Sequence, residues 1–297
     1  MTVIGIFGPT ASGKSAVAAA LAERIPAEVV SADAMQVYQG LPILTNRSPF
    51  PERLVGIWPL SHTASVGEYA ALAHAAIDEI LEDGRTPLVV GGTGLYFRAA
   101  LAQLELPPPP TADARERWSR FYDERGPAAA HARLAEIDAP AAARVHPNDR
   151  RRVVRALELA EGGGSLAPRT DRLFAGAWRH PTLVVALDVP KETLERRIEA
   201  RTLAMFEAGV GEEVARAIAG PISATARKTI GLDEVATLPR EEAAAALVVR
   251  TRRYAAYQRK WLRRLEGAAI VAGDRPLDEI ADEILALARI RERLHRP

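Results

Sequence analysis

VIGIFGPTASGKSAVAAALAERI, residues 3–25, decides how this chain is read. Five residues, Val3–Phe7, form a strand-like apolar run. Gly8–Ser15 then fits G-x-x-x-x-G-K-[ST], and the alanine-rich stretch from Lys14 to Arg24 reads as a helix. Strand, glycine turn and helix in that order make a cradle for phosphate. The glycines let successive backbone N–H groups converge on phosphate oxygens, and the helix N-terminus adds its dipole. Lys14 supplies a point charge, and the Ser15 hydroxyl is the candidate metal ligand, for Mg²⁺. The candidate diphosphate- or nucleotide-binding residues are therefore Gly8, Pro9, Thr10, Ala11, Ser12, Gly13, Lys14 and Ser15. The motif specifies a phosphate, not the compound that carries it.

Working outward, short apolar runs alternate with helical stretches. EVVSAD is a second strand that delivers Asp33 at its carboxyl end. Ser65 and Glu68 form a capping box ahead of a helix running towards Gly84. TPLVVGG, with its unbroken apolar run, is a buried strand. TLVVALD restores a strand later, Pro190 opens a helix, and AAIVAG (Ala268–Gly273) is a late strand able to rejoin the sheet. From Thr111 to Glu161 the pattern is wholly helical, bounded by the prolines Pro107–Pro110 and the glycines Gly162–Gly164. The expectation is an α/β fold: a P-loop NTPase-like parallel sheet core (1–110 and 165–297) interrupted by a helical insertion (111–164).

Composition agrees with an ordinary globular chain: 297 residues, 48% hydrophobic and 26% charged. There is no cysteine, which excludes disulfides, thiolate zinc sites and a cysteine nucleophile. The N-terminus has no basic lead-in, and no apolar run reaches the roughly 18 residues of a membrane helix. These features predict a cytoplasmic protein without a membrane partner, and nothing in them demands more than a monomer. The net charge is only +1, but it is unevenly spread. Arg150, Arg151, Arg152 and Arg155 cluster, and six arginines with Lys260 fall between Arg250 and Arg264 with no acidic residue among them. On a helix from Glu241 to Glu266, Tyr254, Tyr257, Trp261 and Leu265 share one face, expected to point into the core. The seven bases there read as unopposed, a surface for nucleic-acid backbone.

The enzymes that hydrolyse phosphate with such a loop need an acidic residue on a neighbouring strand. LVVGG ends in glycines. Asp188, followed by Val189 and Pro190, reads as a helix cap. Asp33 is better placed, at the strand end where open α/β sheets put their chemistry. Ionised, it can accept a proton from a substrate amine, although the same position suits a turn cap. Gln36 offers the donor–acceptor pair that grips an adenine edge, and Thr93 in GGTGLY presents a hydroxyl at the same edge.

Together, GPTASGKS, DAMQVY, GGTGLYFRA, NDRRRVVRALEL and RTRRYAAYQRKWLRR resemble, in order and over nearly the whole chain, the motifs of the bacterial tRNA dimethylallyltransferase family. VPKETLERRIEARTLAMFEAGVGEEV is similar to the family segment before its closing helices. The resemblance implies transfer of a dimethylallyl group from dimethylallyl diphosphate to N6 of the adenine 3′ of the anticodon in tRNA (adenosine 37). It implies release of diphosphate, a Mg²⁺ requirement, and a helical insertion that grips the anticodon stem-loop. By position, Thr10–Ser15 would hold the diphosphate, Asp33 would take the amine proton, and Thr93 matches the family's catalytically important threonine. Asp33, Ala34, Met35 and Gln36 would face the flipped base. Arg115, Arg151, Arg152, Arg155 and Lys228 fall on the family's tRNA-contacting positions.

The chain departs from the family at several points. Ala34 replaces the serine of D-S-x-Q, LTNRSP replaces a GTAKP-like stretch, and IWPLSH replaces the usual HHL segment. Lys228 and Leu232 stand where the family has arginine and tyrosine. Two other readings fit the loop alone: an adenylate isopentenyltransferase acting on free nucleotide, and a P-loop small-molecule kinase. The basic closing helix favours tRNA, because a mononucleotide needs no such surface.

Overall fold

A computed structural model describes residues 2–104, 111–166, 177–265 and 267–294. Among them, six strands form one parallel sheet. β1 (Val3–Phe7) lies between β4 (Thr86–Gly91) and β5 (Thr182–Asp188); β2 (Ala27–Ser31) pairs beyond β4, β3 (Glu52–Arg53) beyond β2, and β6 (Ala269–Ala272) beyond β5. β1, β4 and β5 have no polar side chain to present except near their ends, which suits strands covered on both faces. One face packs Ile4, Ile6, Leu88 and Val185 against Val17 and Leu21 of α1 (Lys14–Ala22) and Ile280 and Ile284 of the closing helix Leu277–Leu294. On the other, α2 (Val66–Glu82) and α3 (Gly94–Leu101) cover the sheet. Gly5 leaves the space that Phe97 and Leu101 fill, since a Cβ there would meet them at 2.8 and 3.0 Å. Ser65 caps α2 as its capping-box sequence predicts, accepting from the Glu68 amide.

Two compact units emerge: Met1–Gln103 with Gly176–Pro297, and Leu104–Ala175. The second is all helical in its described residues: α4 (Ala112–Ile137), α5 (Ala139–Ala142) and α6 (Arg150–Glu161) enclose Tyr122, Leu134, Val153 and Leu157. Gly126 and Pro127 break α4 midway; Gly126 is left-handed (φ 82°). The remaining helices of the first unit are α7 (Lys191–Glu207), α8 (Val210–Ile218), α9 (Leu232–Thr237), α10 (Arg240–Leu262) and α11 (Leu277–Leu294).

Two expectations change. Asp188 is not the cap: α7 begins at Lys191 with Pro190 in the cap position, and Asp188 ends its strand facing Arg259 at 3.4 Å. The two-residue edge strand β3 gave no periodic signal at all. The basic helix spans Arg240–Leu262 rather than Glu241–Glu266; Glu266, like the boundary prolines Pro107–Pro110, lies outside the described residues. Leu232, where the family has tyrosine, is fully buried with Leu44 and Leu247.

Candidate active site

Because β1 sits beside β4 and β4 beside β2, the turns that follow all three open at one edge of the sheet. They touch through their backbones. The Gly8 amide donates to the Gly91 carbonyl at 3.3 Å, and the Ala32 amide donates to the Val90 carbonyl at 2.7 Å. In front of them lies a cleft of about 550 Å³, within the size range of small-molecule sites. Thr10–Ser15, Asp33 and Gln36 line it, together with Glu52, Arg201, Tyr254 and Gln258.

The loop holds a demanding shape. Ala11 is left-handed (φ 64°) despite its side chain, and Gly13 (φ 91°) faces open space. Gly8 must be small, because a Cβ would meet Ser12 Oγ at 2.7 Å. Strain of this kind persists where function requires it. Lys14 donates to the Pro9 carbonyl at 2.7 Å. Burial lowers its pKa to about 8; Asp33 and Glu52 oppose the shift and Arg201 adds to it. A nearby anion would favour the charged form and oppose this shift.

Two further charged groups face the loop, and sequence reasoning found neither. Arg201, from α7, donates to Thr10 Oγ1 at 2.8 Å; burial lowers its pKa, opposed by Asp33. Glu52, on β3, lies beside Ser15. Burial raises its pKa, while the Ser48 and Ser15 hydroxyls that hydrogen-bond its carboxyl pull the other way. Its Oε1 is buried and accepts no hydrogen bond. Arg201 lies in the ERRIEAR run, whose helical charge pattern looks like a solvated face. Glu52 sits among prolines and polar residues, without a motif.

Asp33 serves its turn and still faces the cleft: Oδ1 accepts from the Met35 amide at 2.8 Å and the Gln36 amide at 3.3 Å. The turn-cap reading holds, and the carboxylate lines the cleft as well. Gln36 is fully engaged, donating to the Thr45 and Asn46 carbonyls at 3.2 and 3.3 Å and accepting from Ser31 Oγ at 2.9 Å. That gives the LTNRSP stretch a structural part, reinforced by Arg47, which donates to the Tyr38 carbonyl and lies over Gly56. Ala34 is half-buried, and Met35 packs its sulfur against Thr229 Oγ1 at 3.3 Å. Lys228 ends the exposed side of a short 3-10 turn, Ala226–Lys228. Thr93 Oγ1 lies 3.1 Å from the Tyr254 hydroxyl; burial pushes that phenol's pKa well up.

α10 differs from its sequence reading twice. Its buried side is Leu247, Thr251, Ala255, Gln258 and Trp261; Tyr254 is half-buried and Tyr257 is 54% exposed, so the aromatics do not form a core stripe. Three of the seven bases are not unopposed either. Arg250 pairs with Glu234, Arg252 with Glu199 and Arg259 with Asp188, acids supplied by other elements.

In the helical unit, Arg115 and Arg155 share the buried carboxylate of Glu158, each at 3.1 Å. Arg152 lies 3.6 Å from Asp149, and Arg151 is exposed.

Comparison with known proteins points to one family. The family described as IPP transferase matches residues 36–265, and that described as isopentenyl transferase matches residues 1–58. A tRNA dimethylallyltransferase of Anaeromyxobacter dehalogenans is 41% identical over 285 residues, 92% of this chain and 95% of its own. One of Salinispora tropica is 41% identical over 277 residues, 89% of this chain and 86% of its own. Among solved structures, the full-length tRNA isopentenylpyrophosphate transferase of Bacillus halodurans superposes with a TM-score of 0.71 at 32% identity, covering 99% of this chain and 98% of that one. A phosphate loop, a carboxylate and a threonine at one sheet edge, in a chain this similar to those enzymes over nearly its full length, place it plainly: it belongs to the IPP transferase family.

Proposed function

We propose that this protein transfers a dimethylallyl group from dimethylallyl diphosphate to N6 of adenosine 37 in tRNA, the base 3′ of the anticodon, releasing diphosphate. The observation that carries the reading is the convergence of Lys14, Arg201 and the loop amides with Asp33 around one cleft. Cations and amides answer the leaving group; the carboxylate answers the nucleophile.

The N6 amine is weak because its lone pair is delocalised into the ring. Asp33, held by the Met35 and Gln36 amides, accepts its proton as the carbon–nitrogen bond forms. Charge develops on the departing diphosphate, where Lys14, Arg201 and the amides of Gly13, Lys14 and Ser15 stabilise it without reorganising. The adenine must leave its stack to reach the cleft, at a cost of a few kcal/mol. Gln36, once released from its loop carbonyls, offers the adenine edge both a donor and an acceptor. In the helical unit, Arg151 and Arg152, with Arg115 and Arg155 beside Glu158, suit the anticodon stem-loop. Exposed Lys228 suits backbone phosphate.

The residues also fit Mg²⁺. The Ser15 hydroxyl and the orphaned Glu52 Oε1 are hard oxygen ligands beside the loop, and Mg²⁺ is commonly held by one or two protein oxygens plus substrate phosphates. Bound there, the ion would neutralise diphosphate charge. Among the described residues no helix is long and apolar enough to cross a membrane. We infer a cytoplasmic monomer, which sedimentation and fractionation test.

Mass spectrometry of unmodified tRNA after incubation with the protein, dimethylallyl diphosphate and Mg²⁺ tests the reading, with AMP in a parallel arm. Prenylated adenosine 37 is expected; modification of AMP alone would overturn it. Asp33→Asn should slow transfer by about 10²–10⁴-fold and leave tRNA binding intact, and an unchanged rate removes Asp33 as the base.

A further inference from the structure

Gln258 sits near the C-terminal end of α10 and is 2% exposed. Its side chain reaches two loops that are 248 and 166 residues away in sequence. Oε1 accepts from the Thr10 amide at 2.7 Å, and Nε2 donates to the Gly92 carbonyl at 2.9 Å. One partner is an N–H and the other a carbonyl, so the amide has a single workable orientation. Glutamate would set its second oxygen against the Gly92 carbonyl. Methionine or leucine would leave both backbone groups without their partner. Asparagine is one methylene short.

The neighbours of Gln258 on the same helical face repeat the arrangement at spacings of four and three. Tyr254 meets Thr93 Oγ1. Trp261 lies flat on Gly94, where a Cβ would fall inside its indole, and Gly92 is kept bare by the Gln258 amide itself. Thr10 opens the part of the loop that ends in Lys14 and Ser15. Gly92 immediately precedes Thr93. The amide thus ties the phosphate loop to the threonine turn through one rigid helix.

We propose that Gln258 is a positioning residue that sets the separation of these two loops. Its chemical consequence rests on the transfer reaction proposed above; the clamp itself does not. A catalytic group displaced by about 1 Å can cost about a hundredfold in rate, so loss of both hydrogen bonds should be visible in the kinetic constants.

The test compares Gln258→Leu, which keeps the volume and removes both hydrogen bonds, with Leu247→Ala, a cavity on the same helix that touches neither loop. For Gln258→Leu we expect kcat to fall about tenfold or more and the donor KM to rise, with tRNA binding within about twofold of wild type. Leu247→Ala should lower the melting temperature and leave both constants within about twofold. Equal constants for Gln258→Leu and the wild type would overturn the proposal. Should that variant fail to fold, amide hydrogen exchange in the wild-type protein decides. Strong protection of the Thr10 amide supports the clamp, and exchange at the rate of an open loop refutes it. The exchange measurement uses no substrate. A protein that prenylates nothing would sink the proposed reaction without touching this result.

Discussion

Two glycine-rich turns leave the carboxyl edge of the sheet side by side, Gly8–Ser15 after β1 and Gly91–Gly94 after β4, and they use glycine for opposite ends. In the first, Gly13 adopts a left-handed conformation with nothing within 4 Å of where its Cβ would stand. Its neighbour Lys14 is a half-buried cation that donates to the Pro9 carbonyl. In the second, Gly92 and Gly94 are bare because Gln258 and Trp261 of α10 occupy the space a side chain would need. At Gly13 the first turn leaves its backbone open. The second is filled by the protein, which fixes Thr93. A glycine pattern in a sequence does not separate these uses; only what stands over the glycine does.

That contrast can be broken in four places. Lys14→Met should cost transfer about 10²–10³-fold, since one preorganised charge aimed at the leaving group is lost. Its melting temperature should hold or rise, because a desolvated cation is removed. A lower melting temperature with transfer intact would reverse the roles assigned to the two turns. Gly94→Ala should instead act on the fold, destabilising by about 1–3 kcal/mol in urea denaturation as the indole is forced aside. A neutral result would mean that α10 is not seated as described. Gly13→Ala is the intermediate case. Its backbone strain should cost about 1–2 kcal/mol, and the methyl group in the cleft should raise the donor KM by about tenfold. The smallest effect belongs to Gly84→Ala after α2, left-handed (φ 70°) and equally open but far from the cleft in the fold. It should cost about 1 kcal/mol with unchanged kinetic constants, which isolates backbone strain from any contribution to binding.

Much of the core was legible because it is local. β1, the loop and α1 form one continuous pattern, and the Ser65 cap and the strands ending at Gly91 and Asp188 carry their signals within a few residues. Asp33 could be placed because strand ends in such sheets converge whatever the intervening sequence. What escaped was everything set by partners distant in the chain. Glu52 reaches Ser15 from a two-residue strand too short to have a period. Arg201 reaches Thr10 from a helix whose sequence looks merely charged, and Gln258 reads as one more polar residue in a basic run. The arginines of α10 seemed unopposed for the same reason. Their acids, Glu234, Glu199 and Asp188, belong to three other elements. In the sequence Gln36 looks available, whereas its amide is committed to a loop ten residues away.

The strand order has a consequence for how the chain is born. In the finished sheet β1 is central, bonded to β4 on one side and β5 on the other. In synthesis β4 follows it within the first 91 residues, but β5 begins only at Thr182, after the entire helical unit has been made. At about 5–20 residues per second, the nascent β1 spends on the order of ten seconds with one row of amides and carbonyls unclaimed. The strand that carries the phosphate loop is for that interval the exposed edge of a half-built sheet. The helical unit, whatever it binds in the mature protein, sets how long the ribosome-bound chain must wait to close it.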